Sequence, residues 1–215
     1  MKKWIALLAL LTFAPWAASA DFEEGVHYEK IDNPQPTSGE AQVEVLELFW
    51  YGCPHCYELD PKLDKWASQQ PEDVAFVRMP AVLGQSWELL ARGYYTAELL
   101  GVMDRIHEPL FARLHDQKKP VRTPAELKAF FVEQGVPADD FDKTFASFAV
   151  ITKTNRAKQA PRMYGISGVP ALIVNGEYLV TARLAGGNEK MLEVVDYLIE
   201  QERAEAGDTR AAVVR

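Results

Sequence analysis

The hydrophobic and polar positions of this chain follow two different periods, one of strands and one of helices. The run VEVLELFWY at residues 43–51 is apolar without regular polar alternation, as is typical of a strand buried on both faces. From about Pro54 to Gln69 the apolar residues recur at helical spacing, and VAFVRM at 74–79 again resembles a buried strand. This order predicts a βαβ unit, preceded by a short strand in VHYEKI at 26–31.

From about Gln85 to Tyr164 the pattern is helical throughout. Thr123, Pro124 and Glu126 form a capping box with proline at the first helical position. The expected helices begin near Ser86, Met103, Thr123, Asp139 or Asp140, and Val150, and Pro109 is expected to bend the second.

Strand patterns return after this block. PALIVNGEYLV at 170–180 contains two apolar runs joined by Asn175 and Gly176, which predicts a tight hairpin, and Asn188 is expected to begin a last helix. The whole pattern predicts an α/β fold in which residues 21–84 and 165–203 build one sheet domain. Residues 85–164 are then an all-helical insertion, and 204–215 are expected to be a flexible C-terminal tail.

The first twenty residues, MKKWIALLALLTFAPWAASA, have the composition of a cleaved signal peptide. Two lysines precede an apolar run that is too short to span a bilayer, and the segment ends in an A-x-A site. No other segment is long and apolar enough to cross a membrane, so we expect an exported, soluble protein.

The net charge of the chain indicates which classes of binding partner are unfavourable. Without the two lysines of the signal peptide the chain carries 21 basic and 31 acidic residues, a net charge of −10. Such a surface argues against nucleic acid or an anionic membrane as a ligand. The 195 remaining residues can bury a sizeable core, so stability does not require many disulfides.

Cys53 and Cys56 are the only cysteines, and three uses of such a pair can be compared. A structural zinc site needs four nitrogen or sulfur ligands, and the histidines outside the pair show no paired spacing: His27, His107 and His115. A structural disulfide over so short a loop would remove little entropy from the unfolded chain. A redox pair is therefore favoured.

The position of the pair suggests its chemistry. Cys53 lies where a buried strand ends, and Pro54 suits the first turn of the following helix. Free backbone N–H groups and the helix dipole there stabilise a thiolate, so Cys53 is expected to be the exposed nucleophile and Cys56 the resolving thiol. His55 is expected to lower the pKa of Cys53 further. Stabilising the reduced form makes the disulfide a stronger oxidant.

With these features the chain resembles the DsbA family, the thiol:disulfide oxidoreductases of the Gram-negative periplasm. The resemblance rests on FWYGCPHCY after a buried strand, the helical insertion and GVPALIVNG before a hairpin, and it covers roughly residues 22–203. It implies a thioredoxin fold and a dithiol oxidase that donates the Cys53–Cys56 disulfide to newly exported proteins through a mixed disulfide. It also implies reoxidation by a membrane quinone reductase of the DsbB type, and no metal or organic cofactor.

Further site residues follow from the resemblance. Val169 and Pro170 match the position at which thioredoxin-fold proteins hold a cis proline opposite the cysteines. The expected role of this segment is to present backbone to an extended substrate. Trp50 and the segment around Val169 are expected to line an apolar groove that receives unfolded proteins.

Glu47 lies in mid-strand and shares a face with Val43 and Val45, so it is expected to be buried. An acid that reaches solvent at a sheet edge is the alternative. The resemblance implies that Glu47 relays a proton from Cys56. Members of this family often set a lysine near the acid; the sequence does not place one here, and Arg78 and Lys65 are the candidates for a basic partner.

Two other functions remain as alternatives. A disulfide isomerase or reductase of the same fold is one, although residues 21–42 are too short for an N-terminal dimerisation domain and Val169 before the proline resembles the oxidases. A chaperone-like binding protein with incidental thiols is the other. No segment indicates a dimer interface, so a monomer is expected.

Overall fold

The computed structural model describes residues 22–37, 39 and 41–213. The expected signal peptide, residues 1–20, lies outside the described residues. The elements follow the chain as β1 (Glu29–Lys30), β2 (Val43–Phe49), α1 (Pro54–Ala67), β3 (Val74–Pro80), α2 (Glu88–Leu100), α3 (Met103–His115), α4 (Pro124–Glu133), α5 (Ala138–Phe145), α6 (Phe148–Met163), β4 (Ala171–Val174), β5 (Tyr178–Thr181), α7 (Ala182–Ala185) and α8 (Asn188–Val213). Within this part of the chain, no helix has both the length and the apolar composition to cross a membrane.

The five strands form one sheet in the order β1-β5-β4-β2-β3. β2 and β3 are parallel and joined by α1, which confirms the βαβ prediction, whereas β4 pairs with β2 and β5 in antiparallel fashion. The hairpin prediction is also confirmed. Asn175 and Gly176 have φ values of 50° and 70°, the left-handed conformations that a two-residue turn of type I′ requires.

Both faces of the sheet are covered, which explains why β2 lacks polar alternation. On one face Val43 and Val45 pack with Leu59 of α1 and Val194 of α8. On the other face Leu46 and the strands beside it pack against helices α2 to α6, which lie between β3 and β4 along the chain. All seven residues of β2 are buried as a result.

Several helix boundaries differ from the predicted ones for local reasons. A 3₁₀ turn at Gln85–Trp87 precedes α2, so the α-helix begins at Glu88 rather than at Ser86. α5 begins directly after Pro137, and the Ser147 side chain caps α6. The capping box of α4 is present as predicted.

The C-terminal helix is longer than the sequence indicated. α8 continues to Val213, so residues 204–213, which were expected to be a flexible tail, are helical. Four of these ten residues are alanine, the residue that favours helix most. The single interior Gly207 costs about 1 kcal/mol relative to alanine, and the helix passes through it.

Candidate active site

The turn between β2 and α1 places both cysteines. Cys53 is the residue before the first helical position, with extended backbone angles, and Pro54 follows as the first residue of α1. The Cys53 N–H donates to the carbonyl oxygen of Trp50 at 2.9 Å, which closes the turn. A side chain at Gly52 would overlap the indole ring of Trp50, so this position needs glycine.

Cys53 carries the more acidic sulfur of the pair. Its pKa is lowered to about 6, chiefly because the thiol of Cys56 donates a hydrogen bond to it. The backbone N–H groups of Cys56 and His55 lower it further, burial opposes the shift, and the charge of the His55 imidazole contributes least. Cys53 was expected to be exposed, but it is only 8% exposed because Val169 and the turn cover it.

Cys56 has the opposite environment. It is fully buried one turn into α1, and both cysteines are free thiols. Burial is the largest cause of a strongly raised pKa, and the hydrogen bond to Cys53 and the charge of Glu47 act in the same direction. At neutral pH the reduced pair therefore holds a thiolate at Cys53 and a thiol at Cys56.

His55 lies at the surface of the site. Its side chain is 72% exposed, and Nδ1 is 3.5 Å from Oε2 of Glu58 one turn along α1. The ring is thus largely in solvent, and its charge makes the smallest contribution to the lowered pKa of Cys53.

The loop before β4 faces the cysteines from the other side. The Val169–Pro170 peptide bond is cis, as the resemblance implied. The carbonyl oxygen of Val169 lies 3.4 Å from Sγ of Cys53 and accepts a hydrogen bond from it when Cys53 is protonated. The first turn of α1 and the loop before β4 thus meet at one sulfur atom.

Glu47 lies beneath the pair and is 1% exposed, which confirms the predicted burial. Of the two basic candidates, Arg78 is its partner: Nε of Arg78 donates to Oε2 of Glu47 at 2.9 Å. Burial raises the pKa of Glu47 to about 7 and outweighs the lowering effect of Arg78, while the charges of Asp60 and Asp64 raise it further. Lys65 lies exposed at the end of α1.

The sequence alone did not reveal the rest of this polar cluster. Nη2 of Arg78 also donates to Asp60 and Asp64, at 3.1 and 2.7 Å. Asp60 in turn lies 3.0 Å from Nε2 of His107, whose Nδ1 is 2.8 Å from the hydroxyl of Tyr51. The sequence did contain one indication that Asp60 belongs to the site. It stands four residues after Cys56 and therefore lies on the same buried face of α1.

A cavity of about 800 Å³ opens beside the cysteines. Its lining includes His55, Val169 and Pro170, and it continues along the segment from Thr181 to Lys190. Trp50 was expected in this lining. In the described part of the chain, however, Trp50 is not one of the residues that line this cavity. Its indole ring stacks instead on that of Trp87, with ring centroids 4.1 Å apart.

The histidines considered for a zinc site have other contacts. His107 and His115 both contact Tyr51, and Nδ1 of His27 accepts a hydrogen bond from the N–H of Glu23. Within the described residues, no three His, Cys, Asp or Glu side chains are grouped so that they could hold a metal ion.

Comparisons with known proteins agree with this geometry. The family model of the DSBA-like thioredoxin domain matches residues 44–198. The thiol:disulfide interchange protein DsbA of Azotobacter vinelandii is 41% identical over 199 residues, which cover 93% of each chain. The protein of the same name from Pseudomonas aeruginosa is 40% identical over 202 residues, 94% of this chain and 96% of the relative. A crystal structure of Pseudomonas aeruginosa DsbA superposes with a TM-score of 0.82, covering 86% of this chain and 97% of that one.

A thioredoxin fold with a helical insertion, and a CxxC pair at the start of its first long helix, define a thiol:disulfide oxidoreductase. The chain belongs to the DsbA-like thioredoxin-domain family. The resemblance, the fold class and the enzyme class predicted from the sequence are therefore confirmed.

Proposed function

We propose that this protein is a periplasmic dithiol oxidase that donates its Cys53–Cys56 disulfide to newly exported proteins. The observation that carries the proposal is the opposed pKa of the two sulfurs, lowered to about 6 at Cys53 and raised at Cys56. A pair that holds a stable thiolate stabilises its own reduced form. Its disulfide is therefore readily given to a substrate dithiol.

The proposed reaction has two exchange steps. A substrate thiolate attacks Sγ of Cys53, the Cys53–Cys56 bond breaks, and Cys56 leaves as a thiolate that takes up a proton. A second substrate thiolate then attacks the sulfur of the first, which releases an oxidised substrate and leaves Cys53 as a thiolate. Two electrons pass from the substrate to the enzyme.

The surrounding residues have proposed roles in these steps. Glu47, with a pKa raised to about 7, supplies the proton that Cys56 takes up and receives it again on reoxidation. Pro54 begins the helix whose N–H groups face the thiolate, and His55 adds a small electrostatic contribution. Val169 and Pro170 line the cavity beside Cys53, where an extended substrate segment can pair with backbone.

The remaining parts of the proposal concern partners and location. Reduced exported proteins are the substrates, and a membrane quinone reductase of the DsbB type reoxidises the enzyme, which acts as a monomer without metal or organic cofactor. Support comes from the relatives named thiol:disulfide interchange protein DsbA and from the signal sequence expected at residues 1–20. We also propose that residues 85–164 form a separate inserted domain.

Mixing the oxidised enzyme with a reduced, unfolded protein that needs several disulfides tests the proposal. We expect one substrate disulfide per enzyme and complete loss of this activity in Cys53→Ser. Rearrangement of existing disulfides without net oxidation would instead indicate an isomerase. Protection of the substrate from aggregation by wild type and Cys53→Ser alike, without thiol loss, would indicate a binding protein.

A further inference from the structure

His107 joins the helical insertion to the polar cluster beneath the cysteines. It is buried on α3, and each of its ring nitrogens has one polar partner: Asp60 of α1 at 3.0 Å and the hydroxyl of Tyr51 at 2.8 Å. Its other neighbours are aromatic rings, which fix its plane: Phe49, Tyr94 and Phe111. The imidazole is thus oriented from both ends.

A proton on Nε2 of His107 suits the polar atoms of this contact. With the proton on Nε2, the ring donates to the carboxylate of Asp60, and Nδ1 accepts from the Tyr51 hydroxyl. The other tautomer would aim a lone pair at the carboxylate. His107 therefore acts as a donor toward Asp60.

Asp60 competes with Glu47 for one guanidinium. Oδ1 of Asp60 accepts both from Nε2 of His107 and from Nη2 of Arg78, and Nε of the same arginine holds Glu47. Asp64 is the third carboxylate that contacts Arg78. Three carboxylates thus face one cation, and the hydrogen bond from His107 is the further donor that stabilises Asp60.

We infer that His107 is a positioning residue of the redox centre, which by donating to Asp60 leaves the Arg78 guanidinium available to Glu47. Without this donor Asp60 would draw Arg78 toward itself, and its negative charge would act on Glu47 with less compensation. Both effects favour the protonated form of Glu47. The inference deepens the proposed function, in which Glu47 carries the proton for Cys56.

The titratable and charged groups that influence the protonation of Glu47 come from the elements around His107. They are Asp60 and Asp64 of α1, Glu47 of β2, Arg78 of β3, Tyr94 of α2 and Tyr51 of the turn before Cys53. His115 provides a matched control, because it lies on the same helix and its Nε2 is 2.7 Å from the carbonyl oxygen of Tyr51, away from the carboxylates.

The direct test is a carbon-13 NMR titration of the Glu47 side-chain carboxyl in the oxidised full-length protein. His107→Leu and His107→Asn both remove the donor to Asp60, and we expect the titration midpoint of Glu47 to rise by about one pH unit. His107→Gln can place an amide N–H where Nε2 stood and should restore most of the wild-type midpoint. His115→Gln should leave it unchanged.

Two donor-removing variants keep the test decisive if one does not fold. An unchanged Glu47 midpoint in whichever of His107→Leu and His107→Asn folds would overturn the inference. A rise that His107→Gln fails to reverse, or that His115→Gln reproduces, would also overturn it, because general loosening of α3 would then be the cause.

A kinetic measurement separates this inference from the proposed role of Glu47. The rate at which Cys56 displaces glutathione from a mixed disulfide at Cys53 is followed against pH in the same variants. If the titration midpoint of the Glu47 carboxyl and the pH midpoint of the rate shift together, the result supports both the positioning role of His107 and the proton relay through Glu47. A carboxyl shift without a rate shift supports the positioning role and contradicts the proton relay through Glu47.

Discussion

Nε of Arg78 donates a hydrogen bond to Oε2 of Glu47 at 2.9 Å, across the parallel strands β2 and β3 in which the two residues are register partners. The contact places a cation beside the acid that lies under the cysteines. It does not suffice to keep Glu47 ionised, because burial raises the pKa of this carboxyl to about 7. The acid can therefore exchange a proton near neutral pH.

Glu47→Gln tests this pKa through stability. The pKa of Glu47 is about 7 in the folded protein, against 4.5 for an unperturbed glutamate such as that of the unfolded chain, so the native state binds more protons than the unfolded state between these values. The free energy of unfolding then falls as the pH rises. We expect wild type to lose about 3 kcal/mol relative to Glu47→Gln between pH 4.5 and pH 7.

Denaturant unfolding of both proteins in the oxidised form, at a series of pH values, measures this difference. From about one pH unit above the folded pKa of about 7 the two curves should run parallel, because Glu47 is then almost fully ionised in both states. Parallel curves over the whole range would contradict the raised pKa.

The Cys53 thiolate can be titrated directly by its ultraviolet absorbance in the reduced protein. We expect a midpoint near pH 6 and a large rise in Cys56→Ala, which removes the hydrogen bond that lowers this pKa most. His55→Ala should raise the midpoint less, because the charge of His55 is the smallest of the causes. A larger shift in His55→Ala than in Cys56→Ala would contradict this order.

Gly52→Ala tests the packing of the turn. The added methyl group overlaps the ring of Trp50, which is stacked on Trp87 and cannot move freely. We expect a loss of about 1–3 kcal/mol of unfolding free energy, together with a change in tryptophan fluorescence. Gly168→Ala is the control, since a methyl group there meets nothing within 4 Å. Equal stability of the two variants would show that the Trp50 ring does not fill this space.

Thr123→Ala tests whether the helical insertion stabilises the fold without tuning the thiols. The substitution removes the side-chain oxygen that caps α4, and we expect a loss of about 1 kcal/mol of unfolding free energy. The alkylation rate of Cys53 should stay at the wild-type value, because this cap does not contact the redox site. A changed alkylation rate would reveal a coupling between α4 and the site.

Local features of the site could be predicted from the sequence. The N-terminal position of Cys53 in α1 follows from a buried strand followed by proline, and the hairpin follows from Asn175 and Gly176. The burial of Glu47 follows from its parity with Val43 in β2. Each of these signals lies within a few residues of the feature that it predicts.

Long-range contacts could not be predicted in the same way. The pairing of Arg78 with Glu47 depends on the register of β2 and β3, and His107 reaches Asp60 only because α3 packs against α1. Trp50 was placed in the groove by resemblance, but its stacking on Trp87 depends on the path of the chain after β3. Such contacts join residues more than thirty positions apart in sequence.

Equilibration with glutathione at pH 7 is the measurement that tests the dithiol oxidase most directly. The fraction of reduced Cys53–Cys56 pair, followed against the ratio of reduced to oxidised glutathione, gives the reduction potential. The stable Cys53 thiolate leads us to expect an oxidising value, toward the roughly −120 mV known for DsbA, a strong oxidant. A potential as low as that of thioredoxin, about −270 mV, would contradict the assignment of this protein as an oxidase.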